Sequence, residues 1–555
     1  MAVPMQVEAA MGTGAADFIG SELVDRLVGV DRTNPSSDAN APVNLTTDNG
    51  LPPPSAAVGS DLAAAMHRAV DVGLEFKSRE RIYGRRMSAE DIRALLVTDL
   101  PAGPASTETL LNHFTSVVLP LCKNEASPRF LGFGDTGDDP ASLVAGVLAM
   151  LTQQNLINQS FDAPSATFVE IAVVRWLRDL LGYDIRPADE ITTVWDVGGI
   201  ITHGGTTSNT AAMMLARENR VPGTMRTGVR DPGRFAIVVP RGIGHYSVRS
   251  SLTWLGIGAQ IIEVDTANFR YDLDDLRRTL AEHAGRIMAV VAYAGDSRTQ
   301  TLEDMTAVHD VVRAADPTVW LHADARWGLV CAFSDRLRHR IRGIELFDSV
   351  TVDPHKVMAI PYGLSALLVR RPEDMRLVST YSDLIMQEDF AFGQVTPFIG
   401  SKGWLSLKLW MMMLGRGRDG LADLADRRVA RARAFADKLD AHPRMRRLHE
   451  PDLAAVAFMY IPPNLNAPAG TSSEVAVARI NDVNRRIHDR MLAEGIWHLH
   501  QFSLPDDNGR FRAGATLHPL RFMANNDLTT AQHMDDVIAY VDRLGRTIDQ
   551  ETNHE

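Results

Sequence analysis

The chain has 555 residues, of which 45% are hydrophobic, and its 57 basic and 69 acidic residues give a formal net charge of −12. A chain of this length forms more than one core, which excludes a small binding module. The acidic balance disfavours a nucleic-acid wrapper or a polybasic membrane binder. Two cysteines without disulfide spacing, no signal-like N-terminus and no apolar run long enough for a membrane span predict a soluble cytoplasmic protein.

The N-terminal part of the chain divides into two predicted regions. Residues 1–60 are expected to be a flexible segment, because their second half is rich in Pro, Ser, Asn, Asp and Gly and offers little apolar surface to bury. Residues 61–135 are expected to form a helical layer. One of its helical patterns begins at Ser88, followed three residues later by Asp91, which is close to a capping box.

The centre of the chain, residues 136–420, predicts a large α/β domain. Apolar residues recur at helical spacing from Ala166 to Tyr183, and Gly182 is placed to end that helix. Short β-rich runs then follow at 236–240, 261–265, 287–293, 319–323, 349–353 and 365–369, separated by segments long enough for helices. Such alternation indicates a mostly parallel sheet. Residues 421–555 predict a smaller α+β domain.

The first segment that suggests chemistry is GGTTSN, at 204–209, between a predicted strand and a predicted helix. Glycines allow an anion to approach the backbone, and the hydroxyls and the helix N-terminus supply donors, so the segment is typical of a phosphate cradle. It lacks the motifs of a P-loop or a dinucleotide fold. A glycine turn with a Ser/Thr cap is an equally open interpretation.

Three further segments lie at predicted strand ends. His322 and Asp324 share one face of a predicted strand. Three interpretations are open: the two residues bind a metal, Asp324 faces a ligand's ring nitrogen, or Asp324 is a buried structural residue. Lys356 follows a strand beside apolar residues, where an amine becomes nucleophilic when desolvated, although a lone lysine is usually solvated. His245 follows a strand and a turn, and alone it is more often structural.

The order of these segments is more specific than any one of them. GGTTSN, GHYS at 244–247, HADA at 322–325, DPHK at 353–356 and SLKLW at 406–410 follow each other along the chain. The set resembles the pyridoxal-phosphate enzymes of the group II amino-acid decarboxylase family, which includes glutamate and aromatic amino-acid decarboxylases. The resemblance implies a fold-type I α/β enzyme with a helical N-terminal layer and a small C-terminal α+β domain, acting as a homodimer in amino-acid metabolism.

The resemblance also implies a cofactor, pyridoxal 5'-phosphate, and roles for individual residues. Lys356 would hold the cofactor as a Schiff base while an L-amino acid loses CO₂ and becomes an amine. Asp324 would bind the pyridine nitrogen, with His245 on one face of the ring and Ala325 on the other. The residues that would hold the phosphate are Thr207, Ser208 and His355. No metal is implied.

Three departures from the family pattern leave alternatives open. Arg326 stands where relatives have a second small residue, and Asp296, Ser297 and Arg298 replace the usual text of the cofactor pocket. In the segment before SLKLW, aromatic amino-acid decarboxylases carry a tyrosine that is thought to protonate the carbanion. In this chain Phe390 or Phe392 falls near the corresponding position. A phenyl ring donates no proton, so an aldehyde-forming oxidative deaminase is an alternative. Tyr381 or another group as the proton donor is the competing interpretation. Other lyase or transferase chemistry on this cofactor, and a non-catalytic scaffold, are further alternatives.

The substrate pocket is the part that the sequence determines least. Candidates for its lining, for which ordinary core packing is an equal alternative, are Phe130, Phe133, Asn158, Phe161 and Phe392. The first four lie in two stretches in which Arg129 is the one cationic residue, which favours a neutral or apolar amino acid.

Overall fold

The computed structural model describes residues 56–553, apart from 133, 259, 385–389 and 466–467. Most of the segment expected to be flexible, residues 1–55, therefore lies outside the described residues. Its last five residues belong to the first helix, Ala56–Ser78. Residues 68–555 form one compact unit, and the architecture below is that of this unit.

The described helices are numbered here in chain order. They are α1 (Ala56–Ser78), α2 (Ala89–Leu96), α3 (Thr107–His113), α4 (Pro140–Thr152), α5 (Ala166–Leu181), α6 (Gly205–Arg220), α7 (Thr224–Thr227), α8 (Tyr246–Trp254), α9 (Leu273–Glu282), α10 (Met305–Ala315), α11 (Asp335–Arg338), α12 (Pro354–Val357), α13 (Ser406–Asp440), α14 (Glu474–Glu494) and α15 (Ala531–Asn553). Within the described part of the chain, none of them is both long and apolar enough to cross a membrane.

The strands form one large sheet, one smaller sheet and two short ribbons. They are β1 (Gly199–Thr202), β2 (Ala236–Pro240), β3 (Ile261–Val264), β4 (Thr266–Ala267), β5 (Arg270–Tyr271), β6 (Ile287–Tyr293), β7 (Trp320–Asp324), β8 (Ser349–Val352), β9 (Ser365–Val369), β10 (Met445–Arg447), β11 (Ala455–Tyr460), β12 (His500–Gln501), β13 (Leu504–Pro505), β14 (Thr516–Leu517) and β15 (Leu520–Met523).

The large sheet has seven strands in the order β1-β9-β8-β7-β6-β2-β3. The neighbours from β8 to β3 pair in parallel, whereas β9 runs antiparallel to both β8 and β1. Therefore β1 points the same way as β2, β6, β7 and β8, and their carboxyl ends meet along one edge of the sheet. The predicted α/β fold with a mostly parallel sheet is confirmed.

Local signals in the sequence explain why the elements begin and end where they do. Gly182 ends α5 in the left-handed conformation, with φ of 82°, as its position predicts. Ser88 caps α2, and its side chain accepts a hydrogen bond from the Asp91 N–H at 3.1 Å. Every residue of β6 is buried, as expected for a strand covered by helices on both faces.

The smaller sheet, β10-β11-β15-β12, lies in the C-terminal part of the chain and packs against α14 and α15 around a separate core. Phe435 stacks on Phe522 in that core, with ring centroids 3.9 Å apart. Helix α13 connects this core to the main one and is broken at Gly417, which has φ of 62° and ψ of −176°. The predicted domain boundary at 420/421 lies within this helix, just after the break.

Candidate active site

The glycine-rich segment lies at the beginning of α6, immediately after β1. A Cβ atom on Gly205 would lie 2.7 Å from the Cδ of Arg326 and 2.8 Å from both carboxylate oxygens of Asp353, so the position has no room for a side chain. The Ser208 hydroxyl is buried and lies 2.8 Å from that of Thr202, while Thr207 is half-buried. The cradle is thus closed on one side by polar side chains from other strand ends.

The carboxylate of Asp324, at the end of β7, is fully buried and held by a fork of two nitrogens. Arg326 donates to it from Nε and Nη2, each 2.5 Å from one carboxylate oxygen. The Asn209 side chain of α6 donates to Oδ2 at 3.1 Å. Burial alone would raise the pKa of Asp324, but the charges and hydrogen bonds around it, led by the Arg326 cation, together outweigh burial, so the pKa lies below its ordinary value. Asp324 is therefore an anion at neutral pH.

His322, on the same strand, contacts the site through Asn209. Its Nε2 lies 3.2 Å from Asn209 Oδ1, and its Nδ1 lies 2.8 Å from the Ser349 hydroxyl. Burial lowers the pKa of His322 to about 4, so the ring is neutral. The part of the chain that the structure describes has no group of three or more His, Cys, Asp and Glu side chains that could hold a metal ion. His322 thus positions Asn209, which in turn binds Asp324.

Asn209 was not assigned a role from the sequence, although it is the last letter of GGTTSN. It lies one helical turn after Gly205, so the two residues share the helix face that looks toward the strand ends. Besides Asp324, it donates to the Ser247 hydroxyl at 2.9 Å. This spacing is the signal in the sequence that could have identified it.

His245 lies after β2 and caps α8. Its backbone N–H donates to the Tyr293 hydroxyl at 2.8 Å, and its Nδ1 accepts from the Ser247 N–H at 3.1 Å. Arg326 Nη1 lies 3.0 Å from the same ring nitrogen. Burial and the nearby Arg326 cation lower the pKa of His245 to about 3, so its ring is neutral. His245 therefore presents an uncharged aromatic ring to the site.

Lys356 lies on α12, immediately after β8, with a side chain that is 10% exposed. Its Nζ lies 2.9 Å from Asp353 Oδ2 and 5.5 Å above the ring of Trp327. The other oxygen of Asp353 accepts from the Ser365 hydroxyl at 2.5 Å. Burial would raise the pKa of Asp353, but Lys356 and Arg326 together hold it below its ordinary value. A fixed carboxylate thus holds the amine in place.

The backbone around Lys356 is fixed from two directions. Asn525, two residues after β15, donates from Nδ2 to the carbonyl oxygens of Lys356 and Gly134, both at 3.1 Å. His355 Nδ1 lies 2.5 Å from the Leu364 carbonyl oxygen, and burial lowers the pKa of this histidine. The C-terminal sheet therefore contributes directly to the position of the lysine.

Ala325 follows Asp324 directly in the sequence and is fully buried. Its N–H donates to the Thr351 carbonyl at 2.8 Å, and its side chain packs in the main hydrophobic core. Arg326 is the residue after Asp324 whose side chain enters the site. Its guanidinium contacts both Asp324 and His245, and its stem passes Gly205.

The substrate candidates have more varied surroundings. Phe130 is buried and stacks on His498, with ring centroids 4.8 Å apart. Asn158 accepts backbone hydrogen bonds from Ser160 and Phe161 through its side-chain oxygen, and the Phe161 ring is 63% exposed. These are contacts of a folded loop and a surface ring.

Two candidates belong to other parts of the chain. Phe133 lies outside the described residues. Phe392 is fully buried, and its ring lies 5.6 Å from the Nζ of Lys402. Its neighbour Phe390 is half-buried against Phe168, with ring centroids 5.2 Å apart, and Tyr381 is 69% exposed.

The segment at 296–301 forms a closed turn around the carboxylate of Asp296. This carboxylate accepts N–H bonds from Arg298, Thr299 and Thr301 at 2.7 to 2.9 Å. Gln300 takes the left-handed conformation there, with φ of 56°. Arg298 lines a neighbouring cavity, and its Nε donates to the Ser503 carbonyl oxygen at 3.0 Å.

That cavity has a volume of about 510 Å³ and is lined by His245 on one side. Its cationic and aromatic lining includes Arg249, Arg298, His500 and Phe502. Burial lowers the pKa of His500 to about 4, so its ring is neutral. Glu263 also lines the cavity and pairs with Arg249 at 3.8 Å, so the net positive charge comes from Arg298. The cavity therefore places the cation of Arg298 in the same lining as the neutral ring of His245.

Comparison with known proteins gives consistent matches. Residues 89–461 match the family described as the pyridoxal-dependent decarboxylase conserved domain. Human cysteine sulfinic acid decarboxylase is 27% identical over 474 residues, which cover 83% of this chain and 90% of the human protein. Aspartate 1-decarboxylase of Aliivibrio fischeri is 28% identical over 398 residues, covering 68% of this chain and 72% of that protein.

The fold also matches solved structures. The crystal structure of mouse CSAD in apo form superimposes with a TM-score of 0.77 and 24% identity, covering 88% of this chain and 99% of that one. The two chains therefore share their fold.

Proposed function

This chain belongs to the family of pyridoxal-dependent decarboxylases, and on that premise we propose that it removes CO₂ from an L-amino acid with an acidic side chain. Decarboxylation of an amino acid with pyridoxal phosphate is the reaction of its family. The acidic side chain is the proposal. The observation that carries it is Arg298, which lines the cavity beside His245.

The residues of the site fit pyridoxal phosphate. Gly205 leaves space where a Cβ would clash, next to the hydroxyls and N–H groups at the beginning of α6. A buried anion, Asp324, and a buried amine, Lys356, complete the set of donors and acceptors that this cofactor needs. We assign the phosphate to Thr207, Ser208 and His355, in keeping with the sequence.

Each side chain then has a defined task. Bound pyridoxal phosphate supplies a ring that accepts the electron pair left when the substrate's carboxylate departs as CO₂. Lys356, which Asp353 holds in place, would bind the cofactor through its amine. Asp324 would provide a carboxylate for the ring nitrogen, and the neutral His245 would pack against the ring. A proton then replaces the carboxylate at the substrate's α-carbon, which gives the amine.

The substrate side chain is assigned to the cavity that His245 lines. Arginine binds carboxylates and sulfinates through paired N–H donors. Cysteine sulfinate and aspartate, named for the relatives above, carry such groups. The sequence favoured a neutral or apolar substrate from stretches that include Phe130 and Phe161, but Phe130 packs on His498 and Phe161 faces outward. Arg298, which lines the cavity, supports the acidic class instead.

The substrate assignment is tested with a panel of amino acids. The purified, cofactor-loaded protein is given L-aspartate, L-glutamate, L-cysteine sulfinate, L-leucine and L-phenylalanine, and CO₂, amine and peroxide are measured together. Arg298→Met is expected to lower kcat/KM for the acidic substrates about 100-fold, since a charged partner is lost. Arg277→Met, which removes an exposed arginine on α9 outside the cavity, is the control and stays within about twofold. Faster release of CO₂ from leucine than from aspartate would refute the acidic class.

We further propose that the enzyme is a homodimer in the cytoplasm. An exposed apolar stripe on α4 supports the dimer, and its members are Val144, Leu148 and Leu151, each 42% to 58% exposed. Light scattering on the double variant Leu148→Glu/Leu151→Glu is expected to give a monomer. The control Leu528→Glu, at an exposed leucine elsewhere, is expected to stay dimeric. A dimeric double variant would exclude α4 as the interface.

A further inference from the structure

Arg326 makes a closed ion pair with Asp324 inside the site. The two side chains are 3% and 1% exposed, and both carboxylate oxygens accept a guanidinium N–H at 2.5 Å. Oδ2 also accepts from Asn209. The charge of the carboxylate is therefore neutralised within the protein, and a further donor must share an oxygen that is already occupied.

The same guanidinium contacts the second group assigned to the cofactor ring. Arg326 Nη1 lies 3.0 Å from Nδ1 and 3.3 Å from Nε2 of His245. Being close to both ring nitrogens, it lies alongside the imidazole. One side chain thus engages both Asp324 and His245, the two residues that we assign to the pyridine ring.

Alternative partners for the guanidinium lie close to it. Asp353 is the nearest second anion, and both it and Arg326 line the space above Gly205. Lys356 already binds Asp353 through Oδ2, and Ser365 binds Oδ1. A guanidinium released from Asp324 therefore has a carboxylate within reach in the phosphate cradle, where an added phosphate would also attract it.

We propose that Arg326 is a competing counter-ion for Asp324, so that pyridoxal phosphate gains this carboxylate only by displacing the arginine from it. The inference rests on the proposed placement of the cofactor between His245 and Asp324. A buried carboxylate that loses its one cation is strongly unfavourable. A protonated ring nitrogen restores the lost charge balance, and the arginine makes this exchange costly in the native chain.

The proposal predicts that removing the charge of Arg326 lowers stability without cofactor and strengthens cofactor binding. Arg326→Met keeps an unbranched apolar stem beside Gly205 and removes the charge. It is expected to destabilise the cofactor-free protein and to bind pyridoxal phosphate at least tenfold more tightly than the native chain, because cofactor then relieves an unpaired anion. Arg326→Lys keeps a charge without the fork and is expected to show an intermediate affinity.

The experiment measures the Kd of pyridoxal phosphate by absorbance and tryptophan quenching, and Tm with and without saturating cofactor. The gain in Tm on adding cofactor should be larger for R326M than for the native chain. Arg444→Met, which removes another bidentate arginine–aspartate pair in the C-terminal part of the chain, is the control and should lower both Tm values equally. R326K carries the same comparison if R326M does not fold without cofactor.

The failure of this inference is distinguishable from failure of the proposed function. Equal or weaker cofactor affinity in R326M, or R326K binding as tightly as R326M, overturns the competition. Borohydride reduction followed by peptide mass spectrometry tests the placement itself, because it fixes the cofactor on the lysine that holds it. A native chain labelled elsewhere than Lys356 would overturn both.

Discussion

The buried pair formed by Lys402 and Glu170 allows a quantitative prediction. The two side chains are 1% and 0% exposed, and Nζ lies 2.5 Å from Oε2. The other oxygen of Glu170 accepts the Ile201 N–H at 3.0 Å, so the pair anchors β1 just before the phosphate cradle. Lys402→Met removes the cation and leaves a buried carboxylate without its charge partner.

The expected magnitude follows from that burial. Breaking a fully buried pair on one side costs about 3–5 kcal/mol, whereas replacing both partners with neutral groups costs far less. Glu170→Gln keeps an oxygen that accepts the Ile201 N–H. The double variant Lys402→Met/Glu170→Gln should therefore be more stable than Lys402→Met alone, by roughly 2 kcal/mol or more.

The double-mutant cycle compares the native chain, the two single variants Lys402→Met and Glu170→Gln, and the double variant. Their thermal unfolding is measured at one protein concentration and with saturating cofactor. Binding of pyridoxal phosphate serves as a second readout, since displacement of β1 would also disturb Gly205 and its neighbours. A double variant that is less stable than Lys402→Met would refute the electrostatic argument and would indicate that packing around Phe392 dominates.

The remaining predictions concern the site. Lys356→Ala is expected to abolish turnover and the borohydride-fixed cofactor, and substantial residual activity would overturn its role. Asp324→Asn is expected to retain cofactor but to lower kcat at least 100-fold, as measured by CO₂ release, because an amide cannot balance a ring cation; unchanged kinetics would remove this role. The free energy of unfolding should fall as the pH drops from 6.5 toward 4, because the pKa of His322 is about 4 in the folded protein and 6.5 in its ordinary state. Over this range the unfolded chain binds a proton that the folded chain does not, which lowers the free energy of unfolding by about 3 kcal/mol. Urea unfolding of His322→Asn should show a weaker pH dependence. Phe392→Tyr is expected to leave the ratio of peroxide to amine unchanged, because the ring is buried against Lys402; a lower ratio would support the oxidative alternative.

Much of the sheet could be predicted because each strand is a short apolar run between turn signals. The runs at 236–240, 287–293 and 365–369 coincide with β2, β6 and β9. The antiparallel direction of β9 could not be read from its composition, since a strand buried on both faces looks alike in either direction.

The positions of Lys356 and Asp324 at strand ends could be predicted, because each follows an apolar run in the sequence; their roles stay predictions. The fork between Asp324 and Arg326 was not predictable, because an arginine after a strand reaches equally well toward solvent or inward. Phe392 illustrates the same limit. Its position in the sequence suggested a loop beside the reacting groups, whereas the fold buries it beside Lys402. Lys402 is held there by an ion pair with Glu170, which is distant in the sequence.

The bond from Asn525 to the Lys356 carbonyl has a consequence for how the chain can be divided. The backbone carbonyl of Lys356 is held by a residue 169 positions later, across the boundary expected at 420/421. A fragment that ends at this boundary retains every residue assigned to the cofactor but loses the donor that holds the lysine's carbonyl, together with the second half of α13. Separate expression of the two parts is therefore expected to give no functional fragment, and loss of structure in the C-terminal sheet should inactivate the enzyme before the large sheet unfolds.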